Sequence, residues 1–122
     1  MAENKQYLSR VLSKGTLLIN EDVLESIVIN AVKEVEGVAG LSFRPALDVI
    51  DMIGKKSIGK ALKIIIDYDN SLKVICNINI YEGHKVVETA TAAQSVIAAA
   101  LESAVNATVS EVDVNVCGIV RK

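Results

Sequence analysis

The spacing of apolar and polar residues changes its period along the chain and predicts the secondary structure. Apolar residues recur every three or four positions over residues 21–35 and 84–105, which predicts two helices, the first capped by Asn20 and stopped at Gly37. They alternate with polar residues over residues 62–66, 72–81 and 111–117, which predicts a β-hairpin turning at residues 68–71 and a final strand. Shorter extended segments are expected at residues 15–19 and 38–43.

The order of these elements is strand, helix, hairpin, helix, strand. It predicts an α+β fold: a two-layer sandwich with a mostly antiparallel mixed sheet, two helices on one face and a split βαβ-like order. Each strand has one polar face, so the sheet should be covered on one side only. Four large apolar residues on the more polar face suggest a second covering surface, such as another subunit: Ile65, Ile75, Tyr81 and Ile119. We expect a single domain over residues 15–122, preceded by a loosely ordered arm at residues 1–14.

The longest predicted helix, residues 84–105, has two different sides. The side expected against the sheet carries Val86, Ala90, Ala93, Ile97, either Ala100 or Leu101, and Ala104. The opposite side is small and weakly charged and carries Ala92, Gln94, Ser95, Ala99 and Ser103. We predict that this second side is a contact face for another protein.

Composition and charge narrow the class of protein. With 122 residues, 51% of them hydrophobic, the chain can form a packed core, and its net charge of −2 disfavours a broad nucleic-acid-binding surface. The N-terminus lacks a signal-peptide pattern, and the longest uncharged run, residues 89–101, is too short to cross a bilayer. We therefore expect a cytoplasmic protein without direct membrane insertion. Cys76 and Cys117 have no metal-ligand spacing and are expected to be buried free thiols.

Two glycine motifs and one histidine are candidate functional sites. Residues 54–60 read G-x-x-x-x-G-K, but Ala61 and a strand follow where a phosphate-binding loop requires Ser or Thr and a helix, so a flexible basic loop is the better interpretation. The basic residues of this region are Arg44, Lys55, Lys56 and Lys60. His84 is the only histidine, no Ser, Cys or Asp is placed to work with it, and the nearby Glu82 and Glu88 are most simply solvated charges. We predict no catalytic residues, metal or cofactor.

The other glycine motif, Gly37-Val38-Ala39-Gly40, has the G-x-x-G pattern that K-homology domains use to clamp a nucleic-acid backbone. Its inner residues carry no positive charge, so a helix stop followed by a turn is the simpler interpretation. An RNA-binding module that uses residues 37–40 and the basic loop remains the alternative function.

Several segments, in this order and spacing, resemble the alkaline-shock (Gls-type) envelope stress response proteins. They are INEDVL at residues 19–24, EVEGVAGL at 34–41, KALKI at 60–64, YEGHKVVE at 81–88, QSV at 94–96 and VDVNVCGIV at 112–120. The resemblance covers nearly all of residues 15–120. It implies a non-enzymatic cytoplasmic protein of Gram-positive-type bacteria that contributes to cell-envelope homeostasis, often held at the membrane by a separate small membrane protein. We therefore expect a homo-oligomer that docks on a membrane-anchored partner and lies peripherally at the membrane.

Overall fold

The computed structural model describes residues 7–42 and 61–121. These residues form six strands and two helices: β1 (Tyr7–Leu12), β2 (Gly15–Asn20), α1 (Glu21–Lys33), β3 (Val38–Leu41), β4 (Leu62–Ile66), β5 (Ser71–Tyr81), α2 (Val86–Val105) and β6 (Thr108–Val120). The α+β class and the predicted order of elements are confirmed. The predicted basic loop lies outside the described residues.

β5 is the central strand of the main sheet. One of its edges pairs antiparallel with β4 through residues 72–76 and with β3 through residues 78–80. Its other edge pairs in parallel with β6 from Ser71 to Tyr81. The parallel pairing follows from the connection, because α2 carries the chain from the end of β5 back to the start of β6. The sheet is therefore mixed and mostly antiparallel.

The core lies on one face of this sheet, beneath both helices. Every second side chain of β5 points into it, and all five are fully buried: Leu72, Val74, Cys76, Ile78 and Ile80. Each helix contributes a stripe of buried residues, α1 through Leu24, Val28, Ala31 and Val32 and α2 through Thr89, Ala93, Ile97 and Leu101. The intervening residues of β5 are half-exposed, so the sheet is covered on one side among the described residues, as the alternation predicts.

The N-terminal segment differs from its prediction. Residues 7–12 of the expected loose arm form β1, which pairs antiparallel with β2 along its whole length. Leu8 is fully buried and joins the main core. The Ser9 N–H donates to Asn70 Oδ1 at 3.3 Å, and the Arg10 guanidinium donates to the Asn106 carbonyl oxygen. The hairpin is thus fixed to the body by the apolar side chains of Leu8 and Ile19 and by these two polar contacts.

Local hydrogen bonds fix the ends of the other elements. Asn20 caps α1 as predicted, because its side-chain oxygen accepts a hydrogen bond from the Asp22 N–H at 2.8 Å. In the β4–β5 turn, Ser71 donates to the Asp69 carboxylate from its N–H at 3.0 Å and from its hydroxyl at 2.8 Å. These hydrogen bonds lower the pKa of Asp69. The predicted hairpin is confirmed with this turn.

Candidate interaction surfaces

The β1–β2 hairpin carries large apolar residues on both of its faces. The register places Val11 and Leu18 on the outer face, where they are 86% and 58% exposed. Leu12 and Leu17 lie on the inner face and are 53% and 42% exposed. The inner face packs on the body through Leu8 and Ile19. This exposure is the most apolar feature of the described surface, and the sequence interpretation of residues 1–14 as an arm missed it.

A cleft separates the inner face of the hairpin from the C-terminal end of α2. Its volume is about 490 Å³, and its lining is mainly apolar: Arg10, Val11, Leu12, Leu17, Ile19, Ala104, Val105 and Asn106. Val11 belongs to both the cleft lining and the outer face of the hairpin. The sequence signal for it is the pair of apolar dipeptides at residues 11–12 and 17–18, on either side of a two-residue turn.

The inward face of α2 is rotated relative to its prediction. The buried residues recur at every fourth position from Thr89 to Leu101, whereas Val86 is 42% exposed and Ala104 is exposed. Side chains four residues apart form a ridge that is inclined to the helix axis, and such ridges pack into the grooves of a neighbouring helix. α2 packs against both α1 and β6. The predicted positions Val86 and Ala104 were therefore wrong, and Ala93, Ile97 and Leu101 were correct.

The predicted contact face of α2 is exposed in the structure. Ala92, Ser95, Ala99 and Ser103 form a strip of small exposed side chains. Gln94 is also exposed, but its amide nitrogen donates to the Val112 carbonyl oxygen of β6 at 3.0 Å. Gln94 thus covers part of a strand edge. The contact role of the strip stays a prediction.

Gly37 has a structural role that replaces the nucleic-acid clamp. Its φ is +100°, and a Cβ at this position would lie 2.9 Å from His84 Nδ1 and 3.2 Å from Thr89 Cγ2. The Gly37 carbonyl oxygen accepts a hydrogen bond from the Tyr81 N–H at 2.8 Å, and Val38–Leu41 is strand β3. The clamp of a K-homology domain requires a free loop here, so the structure contradicts that interpretation of residues 37–40.

His84 lies in a shallow groove between the residues before β3 and the first turn of α2. The groove is lined by Glu36, His84, Lys85, Glu88, Thr89 and Ala92 and has a volume of about 290 Å³. The groove carries both acidic side chains, Glu36 and Glu88, and a basic one, Lys85. Since the imidazole packs on Gly37, we interpret His84 as a packing residue at the start of α2. The remaining basic candidates, Arg44, Lys55, Lys56 and Lys60, lie outside the described residues.

The two cysteines have different environments. Cys76 is fully buried on β5, and burial raises its pKa to about 11, with a smaller contribution from repulsion by Cys117. Cys117 is exposed on β6, so its predicted burial was wrong. It is the extra residue of a β-bulge, where the register shifts between Val116 and Gly118.

Within the described residues, one acidic cluster has a geometry that could hold a cation. Carboxylate oxygens of Glu21, Asp22 and Glu25 lie within 4.8 Å of one another. All three residues are in the first two turns of α1, where the helix dipole favours negative charge. This position explains the cluster without a metal. Neither of the described helices is long and apolar enough to cross a membrane.

The comparison with protein families decides the class of the chain. A model of the alkaline shock protein 23 family, described as having a cell envelope-related function, matches residues 10–121. The chain belongs to this family. The match includes the β1–β2 hairpin from Arg10 onward, α2 and β6, and it agrees with the resemblance found in the sequence. Comparison with curated proteins gives no significant match.

Solved structures with a similar backbone are variants titled MamM-CTD. One has a TM-score of 0.48 and 14% sequence identity, and the alignment covers 80% of this alkaline-shock family chain and 96% of that chain. Another has a TM-score of 0.47 and 15% identity, over 80% of this chain and 94% of that chain. At this level of similarity they carry no functional argument.

Proposed function

We propose that this chain is a non-enzymatic interaction protein of the cell envelope, which self-associates and docks on a membrane-anchored partner. The family's cell envelope-related function supports the location. The observation that carries the interaction role is the β1–β2 hairpin, whose two faces are both apolar. A hairpin has only two faces, and one of them already packs on the body, so the outer face remains without a partner in the described residues.

Charge favours a protein over a lipid surface as the first partner. Anionic lipids attract clusters of Lys and Arg, but the chain has 13 basic and 15 acidic residues. The exposed residues of the hairpin are instead aliphatic, notably Val11 and Leu18. Aliphatic side chains beside an apolar cleft suit an apolar segment of another protein. The partner's chemistry is therefore an apolar cytoplasmic segment of a membrane protein, seated on the hairpin and in its cleft.

Substitution of the outer face tests this function. Burying one aliphatic side chain contributes about 1.5–3 kcal/mol, so Val11→Glu with Leu18→Glu should weaken docking roughly 100-fold or more. Both side chains are more than half exposed, so the double variant should fold. Val87→Glu is a matched control, because Val87 is a 76% exposed aliphatic residue in the first turn of α2, at the opposite end of that helix from the cleft.

The measurement is fractionation of native cells that express each variant at the natural level. Wild type and Val87→Glu should sediment with the membranes, and the hairpin double variant should move to the soluble fraction. A wild-type chain found wholly in the soluble fraction refutes the docking proposal. Release of the Val87→Glu control to the same extent as the double variant refutes the assignment to the hairpin.

A further inference from the structure

The outer edge of β6 is a long strand edge without a partner strand in the described residues. β6 is the longest strand, Thr108–Val120, and β5 occupies only one of its edges. Register shifts place bulges at Ser110 and Cys117, and the six residues between them are regular. Natural edge strands are usually protected by Lys, Pro, bulges or a covering element. β6 contains no Lys and no Pro, and between its two bulges residues 111–116 form a regular template whose protection is limited to the charges of Glu111 and Asp113 and the hydrogen bond from Gln94.

One hydrogen bond shows which backbone groups of this template face outward. The Val112 carbonyl oxygen accepts from the Gln94 side chain of α2, so it points away from β5. Backbone groups alternate in direction along a strand, so those of Val114 and Val116 point the same way as those of Val112. Among the described residues, the N–H and C=O groups of Val114 and Val116 and the N–H of Val112 have no partner strand, whereas the Val112 carbonyl oxygen already accepts from Gln94.

The core is also incomplete along this edge. Val112, Val114 and Val116 lie opposite Val74, Cys76 and Ile78 of β5 and share their helix-facing side. Each β5 residue is fully buried, but each of these three valines is only partly buried. A strand added beside β6 would place its own side chains next to the valines and extend the core across the edge.

We propose that the added strand is β6 of a second copy, paired antiparallel about a two-fold axis at Val114. This inference rests on the self-association in the proposed function and assigns a surface to it. In this register Val112 faces Val116 of the second copy, and Val114 faces Val114 of the second copy. The outward groups of Val114 and Val116 and the Val112 N–H are then used, and the Val112 carbonyl oxygen, with its two lone pairs, is shared between Gln94 and the second copy. The interface is the same on both copies, as two-fold symmetry requires.

Charge selects among the possible registers. An axis at Val112 places Glu111 opposite Asp113 of the second copy, and an axis at Asp113 places the two Asp113 side chains opposite each other. Both arrangements put like charges in direct cross-strand contact, which is destabilising. An axis at Val114 places Asp113 opposite Asn115 of the second copy, which is neutral. An axis at Asn115 also avoids the acidic pairs, but in that register Val112 does not lie opposite a valine of the second copy.

The test is sedimentation equilibrium of the full chain over a range of concentrations. Wild type should dimerise, and Val114→Pro should weaken the dimer at least tenfold, because it removes an outward N–H and leaves the hydrogen bonds to β5. Far-UV circular dichroism checks that the variant folds. A monomeric wild type, or a folded Val114→Pro chain that dimerises like wild type, overturns the inference.

Two substitutions at Asn115 test the register without touching the core. Asn115 is exposed and donates to Asn77 Oδ1 at 2.8 Å; Asn115→Asp removes this donor, and Asn115→Lys replaces it with an ammonium group. With the axis at Val114, the carboxylate introduced by Asn115→Asp faces Asp113 of the second copy and weakens the dimer about two- to tenfold. The ammonium group introduced by Asn115→Lys faces the same carboxylate and tightens the dimer by a similar factor. Weakening by both substitutions, or no effect of either, overturns the Val114 register.

The same variants separate this inference from the proposed docking. A Val114→Pro chain that is monomeric but still sediments with membranes supports β6 as the self-association edge and leaves the hairpin as the docking surface. Loss of membrane binding in the hairpin double variant, but not in Val114→Pro, also assigns docking to the hairpin and self-association to β6. A wild type that dimerises through another surface overturns the β6 edge and leaves the proposed function in place. Dimerisation lost in the hairpin double variant instead assigns self-association to the hairpin and overturns the β6 edge.

Discussion

Raising the pH should destabilise the fold through Cys76. Its thiol is fully buried on β5, and burial raises its pKa from the ordinary value of 9.0 to about 11. In the unfolded chain the thiol ionises first, so the unfolded state gains stability as the pH rises above 9. The contribution of this group is complete below about pH 9 and is lost as the pH approaches 11. A difference of two pKa units corresponds to about 3 kcal/mol.

The assay is urea unfolding of wild type and Cys76→Ala at several pH values from 7.5 to 11. All other side chains are the same in both chains, so their contributions cancel in the difference. The stability advantage of wild type over Cys76→Ala should therefore fall by about 2 kcal/mol between pH 8 and pH 11, because the thiol of the folded chain is only half ionised at pH 11. Cys117→Ala is the control. It should keep most of the pH dependence, because it removes an exposed thiol and only the smaller repulsive contribution. Parallel curves for wild type and Cys76→Ala would refute the reasoning.

Three further substitutions test particular contacts by chemical denaturation. Gly37→Ala should destabilise the fold by about 1–3 kcal/mol, because its Cβ would clash with the His84 ring at a positive φ; His84→Ala in the same chain should recover part of this loss, and additive effects would contradict the contact. Asn20→Ala should cost about 1 kcal/mol by removing the cap on the Asp22 N–H, whereas Asn20→Asp should be nearly neutral; equal losses would argue against the cap. Leu8→Ala should cost about 2–5 kcal/mol and expose the hairpin to protease, and an unchanged stability would show that the hairpin is not part of the core.

The sequence predicted the elements whose side chains repeat with a clear period. α1, the β4–β5 hairpin and α2 have long alternating or helical patterns, and each pattern reflects many residues packed on the same core. The Asn20 cap was predictable because its partner is two residues away. Local chemistry of this kind is visible in a single segment of chain.

Features that depend on distant contacts were not predictable. β1 has no clear period because Leu8 is its only fully buried side chain. The contact of His84 with Gly37 and the hydrogen bond from Gln94 to Val112 join residues that are 47 and 18 positions apart. The exposure of Cys117 follows from a bulge at the edge of the sheet, which alternation cannot reveal.

Binding to membrane vesicles from the native cell tests the proposed function most directly. Purified chain is sedimented with inside-out native vesicles, with the same vesicles after protease treatment of their surface proteins, and with protein-free vesicles made from the extracted lipids. We predict co-sedimentation with the untreated vesicles alone, and loss of that binding in the Val11→Glu and Leu18→Glu double variant. Equal binding to the protein-free vesicles, or no binding to any of the three, would contradict docking on a membrane-anchored protein.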